Sequence, residues 1–579
     1  MLKELHTASS LLCTALNRYV NACSALRNDC SYKNSINGAV ELLGAVTDEM
    51  DLVESYKSKL TQAQVEVKIA RNNLANVPIN SLPTEVLAHI FRLVLAQQCC
   101  PLRVPYHWDS ESPPQIPKYP DTLSHVCSRW RHIALASPGL WSHIDIALSC
   151  PLSKGFHDRA TTYVARAHQS PLDIHLIDPG CIRQVERSGS YGDSGSEQEP
   201  FDYDNQFDDW IDWGISVHEN NPEEFDFLVP SPEPRIRSLG LLVTYQNHPI
   251  HSRALEHCLA NCMLGSLFEL VIDVPSESMS LPSFFETSSD FLPQDHAAST
   301  QLLLPEQQLE NALKSITSLS LDGRYLSWTS TAYCGLTELR LFGNKDISGA
   351  ELASVLNSCP GLRILHCDFN IRDSPPMGTS SALITLQELE TLEISRMRRA
   401  GVEHFLRWLT TGPEPLRLSL GVDPTSALLK DFFTRSNVQE MRIETKPHIS
   451  GELELSPTMF CLSPQLKILA IIGWGRGGYR VTRTSTLSRL NNETISPIEL
   501  DALYMLSCRF NHFYKFREVV VKFSPRKLIL WDCEIEHSPS NRHIGLPLLK
   551  GIMGNELSKL CLSVECLSVR EPKPLQSWD

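Results

Sequence analysis

Apolar and small residues in the first 75 positions repeat at helical spacing and form two stripes. In the first stripe the intervals alternate between four and three residues. Its members are Leu5, Ser9, Leu12, Leu16, Tyr19, Cys23, Leu26 and Cys30. After the polar stretch 28–35, a second stripe consists of Ile36, Ala39, Leu43, Val46, Met50, Val53, Leu60, Val67 and Leu74. Lys57, Gln64 and Arg71 interrupt the second stripe, which weakens a long homodimeric coiled coil. An antiparallel intramolecular hairpin and self-association through the stripes both fit this pattern.

Two strongly apolar segments follow, at 78–94 and 123–134. In the first, Ser81 is a plausible helix N-cap and Pro83 suits a first-turn position. Val86, Leu87, Ile90, Phe91 and Val94 then recur at helical spacing. In the second, the same spacing joins Leu123, Val126, Cys127, Trp130, Ile133 and Ala134, and Ser137-Pro138 begins a third short turn. The pattern therefore predicts three short helices.

Further along the chain, the pattern apolar-x-x-Leu-x-apolar recurs eleven times. Its central residues are Leu239, Leu270, Leu319, Leu339, Leu365, Leu392, Leu418, Met441, Leu469, Leu528 and Leu560. Between Leu319 and Leu469 these centres are 20 to 28 residues apart, within the period of leucine-rich repeats. The alternation predicts short strands, and 349–356 has the pattern of a return helix. The spacing fails at 188–234, 273–315 and 473–524. An α/β domain with scattered strands is the alternative.

The two apolar segments carry a recognisable motif: Leu-Pro-x-Glu-Val-Leu-x-x-Ile-Phe, then Val-Cys-x-x-Trp-Arg-x-Ile-Ala, then Pro-x-Leu-Trp. In order and residue type this resembles an F-box. Phe91 and Cys127 are farther apart than in the compact family form, because a Pro-rich stretch at about 97–120 is inserted as a loop. With a helix leading into Pro-Ile-x-x-Leu-Pro, the chain is similar to F-box proteins common in mushroom-forming fungi.

The F-box resemblance implies docking on the Skp-type adaptor of cullin–RING ubiquitin ligases. Motif position assigns the adaptor contact to Leu82, Pro83, Leu87, Ile90, Phe91, Val126, Cys127, Trp130, Leu140 and Trp141. Part of this set must also form the core of the helices. So small a unit nevertheless carries more large apolar groups than it can bury, and exposed apolar patches mark partner surfaces.

Composition and charge narrow the possible functions. The 579 residues are 42% hydrophobic and 21% charged, which is typical of a globular protein. The net charge is −15, and residues 188–234 hold thirteen carboxylates with no Lys or Arg, so the rest is nearly neutral. The basic footprint of a nucleic-acid-binding protein is absent. The acidic insert also contains eight aromatic residues, so it is either a solvated loop or a docking strip for a basic partner.

No pattern in the sequence indicates catalysis, a cofactor or a metal. The 18 cysteines contain no CxxC pair, and the nearest metal-like spacing, Cys258-x3-Cys262 with His257, lacks a second ligand pair. The glycine-rich 473–478 fits G-x-G-x-x-G, but β-branched and polar residues follow it instead of a helix. Cys127 lies on an apolar face, which favours packing over nucleophilic chemistry. No apolar run reaches the length of a membrane span, so we expect a protein of the cytosol or nucleus.

The sequence thus predicts an α + α/β protein in three parts. These are a helical hairpin or coiled coil at 1–77, a three-helix F-box unit at 78–147, and an irregular leucine-rich-repeat solenoid at 148–579. In the solenoid, parallel strands would line a concave face, with helices and loops outside. The function this implies is that of a non-enzymatic substrate receptor of an SCF-type ubiquitin ligase with an unknown protein target. The alternative is a scaffold or regulatory protein that keeps an F-box without directing ubiquitination.

Overall fold

A computed structural model describes most of the chain and divides it into two compact units, Met1–Leu87 and Ala88–Asp579. The described residues are 2–32, 39–74, 78–96, 120–148, 153–178, 235–243, 249–274, 284–285, 302, 304–343, 346–372, 384–395, 397–421, 427–444, 465–472, 499–510, 513–536, 543–545, 560–567 and 574. The predicted F-box insertion up to residue 119, the acidic insert 188–234 and the glycine-rich 473–478 lie outside them.

The first unit contains two long helices, α1 (Leu2–Tyr32) and α2 (Ala39–Leu74). They contact one another at Tyr19, whose hydroxyl donates to Glu49 Oε1 at 2.6 Å and whose ring meets that of Tyr56 edge-on, with centroids 6.3 Å apart. A cleft between the helices is lined by Leu16 and Val20 of α1 and by Val53 and Leu60 of α2. Many residues of both stripes nevertheless remain exposed, including Leu5, Leu12, Leu43 and Met50.

Within the described ranges ten further helices follow, and residues of the first belong to both units. They are α3 (Thr84–Ala96), α4 (Asp121–Ser124), α5 (Ser128–Leu135), α6 (Ser153–Ala167), α7 (Pro249–Ala260), α8 (Glu306–Leu313), α9 (Gly349–Asn357), α10 (Arg399–Trp408), α11 (Ala427–Arg435) and α12 (Phe513–Phe523). Short 3-10 helices lie at Pro78–Ser81, Pro138–Leu140 and Thr331–Tyr333. In the part of the chain that the structure describes, every helix is too short or too polar to cross a lipid bilayer.

Among its described residues, the second unit contains one sheet of fourteen strands, all parallel, which follow each other in chain order. They are β1 (His143–Ala147), β2 (Leu172–Asp178), β3 (Ile236–Val243), β4 (Glu269–Asp273), β5 (Ser318–Asp322), β6 (Glu338–Phe342), β8 (Ile364–Cys367), β11 (Thr391–Ile394), β13 (Leu416–Leu420), β14 (Val438–Glu444), β15 (Ile468–Ile472), β16 (Ala502–Leu506), β18 (Lys527–Trp531) and β21 (Ser563–Leu567). The fold is therefore mixed helix and strand, as the sequence predicts.

Seven short strands form three small additional sheets. They are β7 (Asp346–Ile347), β9 (Asn370–Ile371), β10 (Ile384–Leu386), β12 (Leu409–Thr411), β17 (Arg509–Phe510), β19 (Glu534–Glu536) and β20 (His543–Gly545). β7 pairs with β9, β10 pairs with β12, and β19 lies between β17 and β20. β7, β9, β17 and β19 each begin a few residues after the end of a main strand.

Two continuous apolar ladders hold the large sheet together on one face. The first joins Ile144, Ile174, Leu239, Leu270, Leu319, Leu339, Leu365, Leu392, Leu418, Met441, Leu469, Leu503, Leu528 and Val564 in register. The second lies two residues further along each strand, from Ile146 to Cys566. All members except those of β21 are buried. Because strand residues alternate between faces, the positions between the ladders project from the opposite face.

Ten of the eleven sequence patterns place their central residue in the first ladder. The eleventh prediction was wrong in register, since the final strand uses Val564 instead of Leu560, and Leu562 is exposed. The stretch 473–524, which the sequence left without repeats, contains strand β16 and helix α12. The return helix expected at 349–356 is α9, and Ser348 and Glu351 form a reciprocal capping box at its start.

The structure corrects two details of the predicted F-box helices. The expected helix over 123–134 is broken into α4 and α5, because Cys127 is extended and its sulfur accepts the Trp130 amide at 3.5 Å as an N-cap. The first helix begins at Thr84, and Ser81 ends the preceding 3-10 helix instead of capping α3. The Pro83 carbonyl accepts the Leu87 amide at 3.1 Å, so Pro83 occupies the capping position.

Candidate functional site

Four of the ten candidate adaptor residues are fully buried. Leu87 and Phe91 on α3 have no more than trace exposure, and the same holds for Leu140 and Trp141 after α5. In the second unit, the Phe91 ring packs against the Trp130 ring with centroids 4.9 Å apart. In the second unit, Phe91, Leu140 and Trp141 are therefore core side chains.

The other candidates keep accessible surface. Val126 is 55% exposed, Pro83 is exposed, and Leu82, Ile90, Cys127 and Trp130 are half-buried. Sequence reasoning did not include Leu93 among the contacts, although its side chain is 51% exposed. On α3, Val86, Ile90 and Leu93 follow the spacing i, i+4, i+7, so they share a helix face. These exposed apolar side chains on α3 form the surface that, among the described residues, most resembles a docking site.

Trp141 joins the short helices to the sheet-containing part of the same unit. Its indole Nε1 donates to the Ala134 carbonyl at 2.8 Å, so the end of α5 is fixed. Its ring meets the Tyr163 ring of α6 edge-on at 5.1 Å, and the Arg166 guanidinium lies 4.2 Å above its centroid. The Tyr163 hydroxyl donates to Asp121 of α4 at 2.7 Å. Strand β1 starts two residues after Trp141, so this residue positions the first strand.

The face of the sheet opposite the ladders carries a second candidate surface. One row runs in register across consecutive strands as Val271, Ser320, Arg340, His366, Glu393, Ser419 and Arg442. We call this row, with its flanking residues on the same face, the polar row. Its side chains include positive and negative charges, hydroxyls and an imidazole. Such a set of groups can form hydrogen bonds and ion pairs with a polar surface. The sequence identified these strands but gave no signal for which positions bind.

Charged groups along the polar row are already paired with one another. His366 Nε2 lies 3.1 Å from Glu393 Oε1 on the next strand, and the His366 ring stacks edge-on against Phe342 with centroids 4.5 Å apart. Burial alone would raise the pKa of Glu393, but the His366 hydrogen bond and the positive charges of His366, Arg442 and Arg340 together outweigh it, and the pKa is lowered. Arg417 Nε lies 2.9 Å from Glu440 Oε2. These pairs preorganise the face, which reduces the entropy lost when a partner binds.

Asp273, at the end of β4 on the same face, is expected to make stability depend on pH. Burial raises the pKa of Asp273 to about 6. Above pH 6 the folded state therefore carries the Asp273 carboxylate in a poorly solvated position, whereas water solvates the same carboxylate in the unfolded chain. Asp273→Asn should stabilise the protein by roughly 1–3 kcal/mol at pH 8, since one pKa unit corresponds to about 1.4 kcal/mol.

The measurement for Asp273→Asn is thermal unfolding of both proteins at pH 8 and at pH 4. The gain should disappear at pH 4, because the wild-type carboxyl is then protonated in the folded state and resembles the amide. Asp346→Asn, at an exposed carboxylate on β7, is the matched control and should change nothing. An equal gain at both pH values would contradict the assignment.

No protein-family model matches this chain, and no curated protein matches it significantly.

The nearest metal-like spacing in the sequence joins two buried thiols, Cys258 and Cys262. Burial raises the pKa of the Cys258 thiol to about 12. Cys262 Sγ lies 3.4 Å from Ser266 Oγ. Among the described residues, the His, Cys, Asp and Glu side chains close enough to share one ion are His143, Asp145 and His175, three that the sequence did not single out.

Proposed function

We propose that this protein is a substrate receptor of an SCF-type ubiquitin ligase, with an F-box at 78–147 that docks on a Skp-type adaptor. The observation that carries the proposal is the uncovered apolar surface of the F-box-like helices. Val86, Leu93 and Val126 are between 42% and 55% exposed. A stable helical unit gains nothing from such exposure unless a partner covers it.

We further propose that 148–579 is an irregular leucine-rich-repeat solenoid that binds the target protein. Support comes from the repeat spacing, the all-parallel strand order and the two apolar ladders, since stacked repeats bury a continuous core of this kind. The polar row is the surface we assign to the target. As part of a ligase, the protein contributes proximity and not chemistry: it raises the effective concentration of target lysines near the conjugating enzyme.

Reconstitution of the complex tests this function. The full-length protein should co-purify with a Skp-type adaptor and, through it, with a cullin, and the assembled complex should ubiquitinate proteins captured by the receptor. Adaptor and cullin binding without ubiquitination of any captured protein would favour the alternative, a scaffold or regulatory protein that keeps an F-box. Failure to bind the adaptor would contradict both.

Self-association through α1 and α2 is a separate expectation. Leu5 and Leu12 lie seven residues apart on α1 and are 52% and 45% exposed, so a partner helix can cover them. Leu5→Glu with Leu12→Glu in the full-length protein should shift the mass measured by light scattering from oligomer to monomer. Ser10→Glu, an exposed α1 position beside the stripe, should leave the mass unchanged. If the wild-type protein is monomeric, the expectation of self-association is wrong, and intramolecular packing of α1 on α2 is the interpretation that remains.

A further inference from the structure

The first two strands of the large sheet bring two histidines and an aspartate together. His143 and Asp145 are two residues apart on β1, so their side chains project from the same face. His175 lies opposite Asp145 on β2 in the parallel register. This face is the one that further along the sheet carries the polar row.

The donor atoms of the three side chains converge. Asp145 Oδ1 lies 3.2 Å from His143 Nε2 and 3.2 Å from His175 Nδ1. One donor atom from each residue can be chosen so that all three lie within 4.8 Å of one another. In a tetrahedral zinc site with bonds of about 2.0–2.2 Å, neighbouring ligand atoms are about 3.3–3.5 Å apart. Two of the three separations therefore match a metal site with only a small adjustment.

We propose that His143, Asp145 and His175 bind a divalent transition metal ion of the zinc class. Two imidazoles and one carboxylate are a common donor set for such ions. This site is independent of the proposed ligase function, because it requires neither an adaptor nor a target protein.

The surroundings support a site with one open position. The side chains of Asp145 and His175 are 4% and 6% exposed, whereas that of His143 is 30% exposed, so solvent reaches the group from one side. Three protein ligands with a solvent-accessible fourth position accept water or a small ligand. The backbone is rigid here, because Ile144, Ile146, Ile174 and Leu176 between the ligands are fully packed in the ladders.

The three side chains also have a purely structural interpretation, because His175 Nδ1 lies within hydrogen-bond distance of Asp145 Oδ1. His143 Nε2, in contrast, is buried and makes no hydrogen bond of good geometry among the described residues. A metal ion would give this nitrogen a partner, and the experiment must separate the two interpretations.

Zinc binding to the full-length protein, stripped of metal with a chelator, provides the test. Titration calorimetry should show a site that is lost in His143→Gln. Loss of an outer-shell partner typically weakens binding roughly 10–100-fold, so loss of a ligand should weaken it by at least that factor. His366→Gln is the matched control, because it removes a histidine from a His–Glu pair on the same face. Among the described residues, no third ligand side chain lies close enough to this pair to complete a metal site. The control should therefore leave zinc affinity unchanged.

Exposed thiols such as Cys13, Cys23 and Cys334 could also take up zinc, so the ligand type must be measured. X-ray absorption of the zinc-loaded wild-type protein should show nitrogen and oxygen ligands without sulfur. This measurement needs no variant, so it remains decisive even if a substitution impairs folding. Equal zinc affinity of wild type and His143→Gln, a sulfur shell, or no zinc binding by the folded wild type would overturn the proposal.

Discussion

Replacement of Leu82 and Pro83 by alanine is expected to abolish binding of a Skp-type adaptor. The Leu-Pro pair precedes α3, where Pro83 is exposed and Leu82 is half-buried, so both can be covered by a partner. Truncated anchor residues at interfaces often cost 2 kcal/mol or more, and about 1.4 kcal/mol corresponds to a tenfold change in affinity. A loss of at least roughly 30-fold should follow, measured with purified adaptor by calorimetry or co-purification.

The Leu82–Pro83 variant should otherwise keep its structure. The Pro83 carbonyl accepts a hydrogen bond from the Leu87 amide at the start of α3. Alanine has the same backbone carbonyl, so the variant keeps this hydrogen bond. Leu264→Ala is the matched control, because Leu264 is an apolar side chain with 68% exposure in the turn before β4. It should bind the adaptor like wild type. Undiminished binding by the double variant, with an unchanged thermal unfolding curve, would refute the F-box assignment.

The repeating strands were predictable because they depend on local alternation. Each Leu-x-apolar pair lies on one face of a short strand, and this face must be buried wherever the chain folds back on itself. The strands that the sequence did not predict lack this leucine pattern or its regular spacing. β1 and β2 have Ile144 and Ile174 at the centre instead of leucine, and β16 fits the pattern with Leu500 and Leu503 but lies in a stretch of irregular spacing.

The candidate sites were less predictable because they depend on pairing over long distances in sequence. Within the F-box-like motif, residue type predicted that all ten residues contact the adaptor. Only the folded chain shows that Phe91 and Trp141 are buried and that Val126 is exposed. Periodicity extended a helix through Cys127, because a sulfur that caps a helix leaves no trace in hydrophobic spacing. His175 lies 30 residues after Asp145, and only the register of β1 against β2 brings them together.

Trp141→Ala is expected to cause the largest loss of stability among the motif residues. Trp141 has no exposed surface, and its replacement removes the contacts with Tyr163 and Arg166 and the hydrogen bond to the Ala134 carbonyl. Truncation of a buried aromatic side chain to alanine typically costs about 3–5 kcal/mol. Because these contacts join α5 to α6 directly before β1, the first strands of the sheet should open at lower denaturant concentration than in wild type.

A graded pair of variants separates a core role of Trp141 from a direct adaptor contact. Trp141→Phe keeps a ring but removes the indole donor to the Ala134 carbonyl, which still accepts the Ser137 amide at 3.2 Å, so the loss should be about 0.5–1.5 kcal/mol. We expect chemical denaturation to give the order wild type, Trp141→Phe, Trp141→Ala. Adaptor affinity should be unchanged for Trp141→Phe at temperatures where the variant is folded, since the buried ring cannot reach a partner. Reduced adaptor affinity of a fully folded Trp141→Phe protein, with little loss of stability, would instead place this residue in the interface.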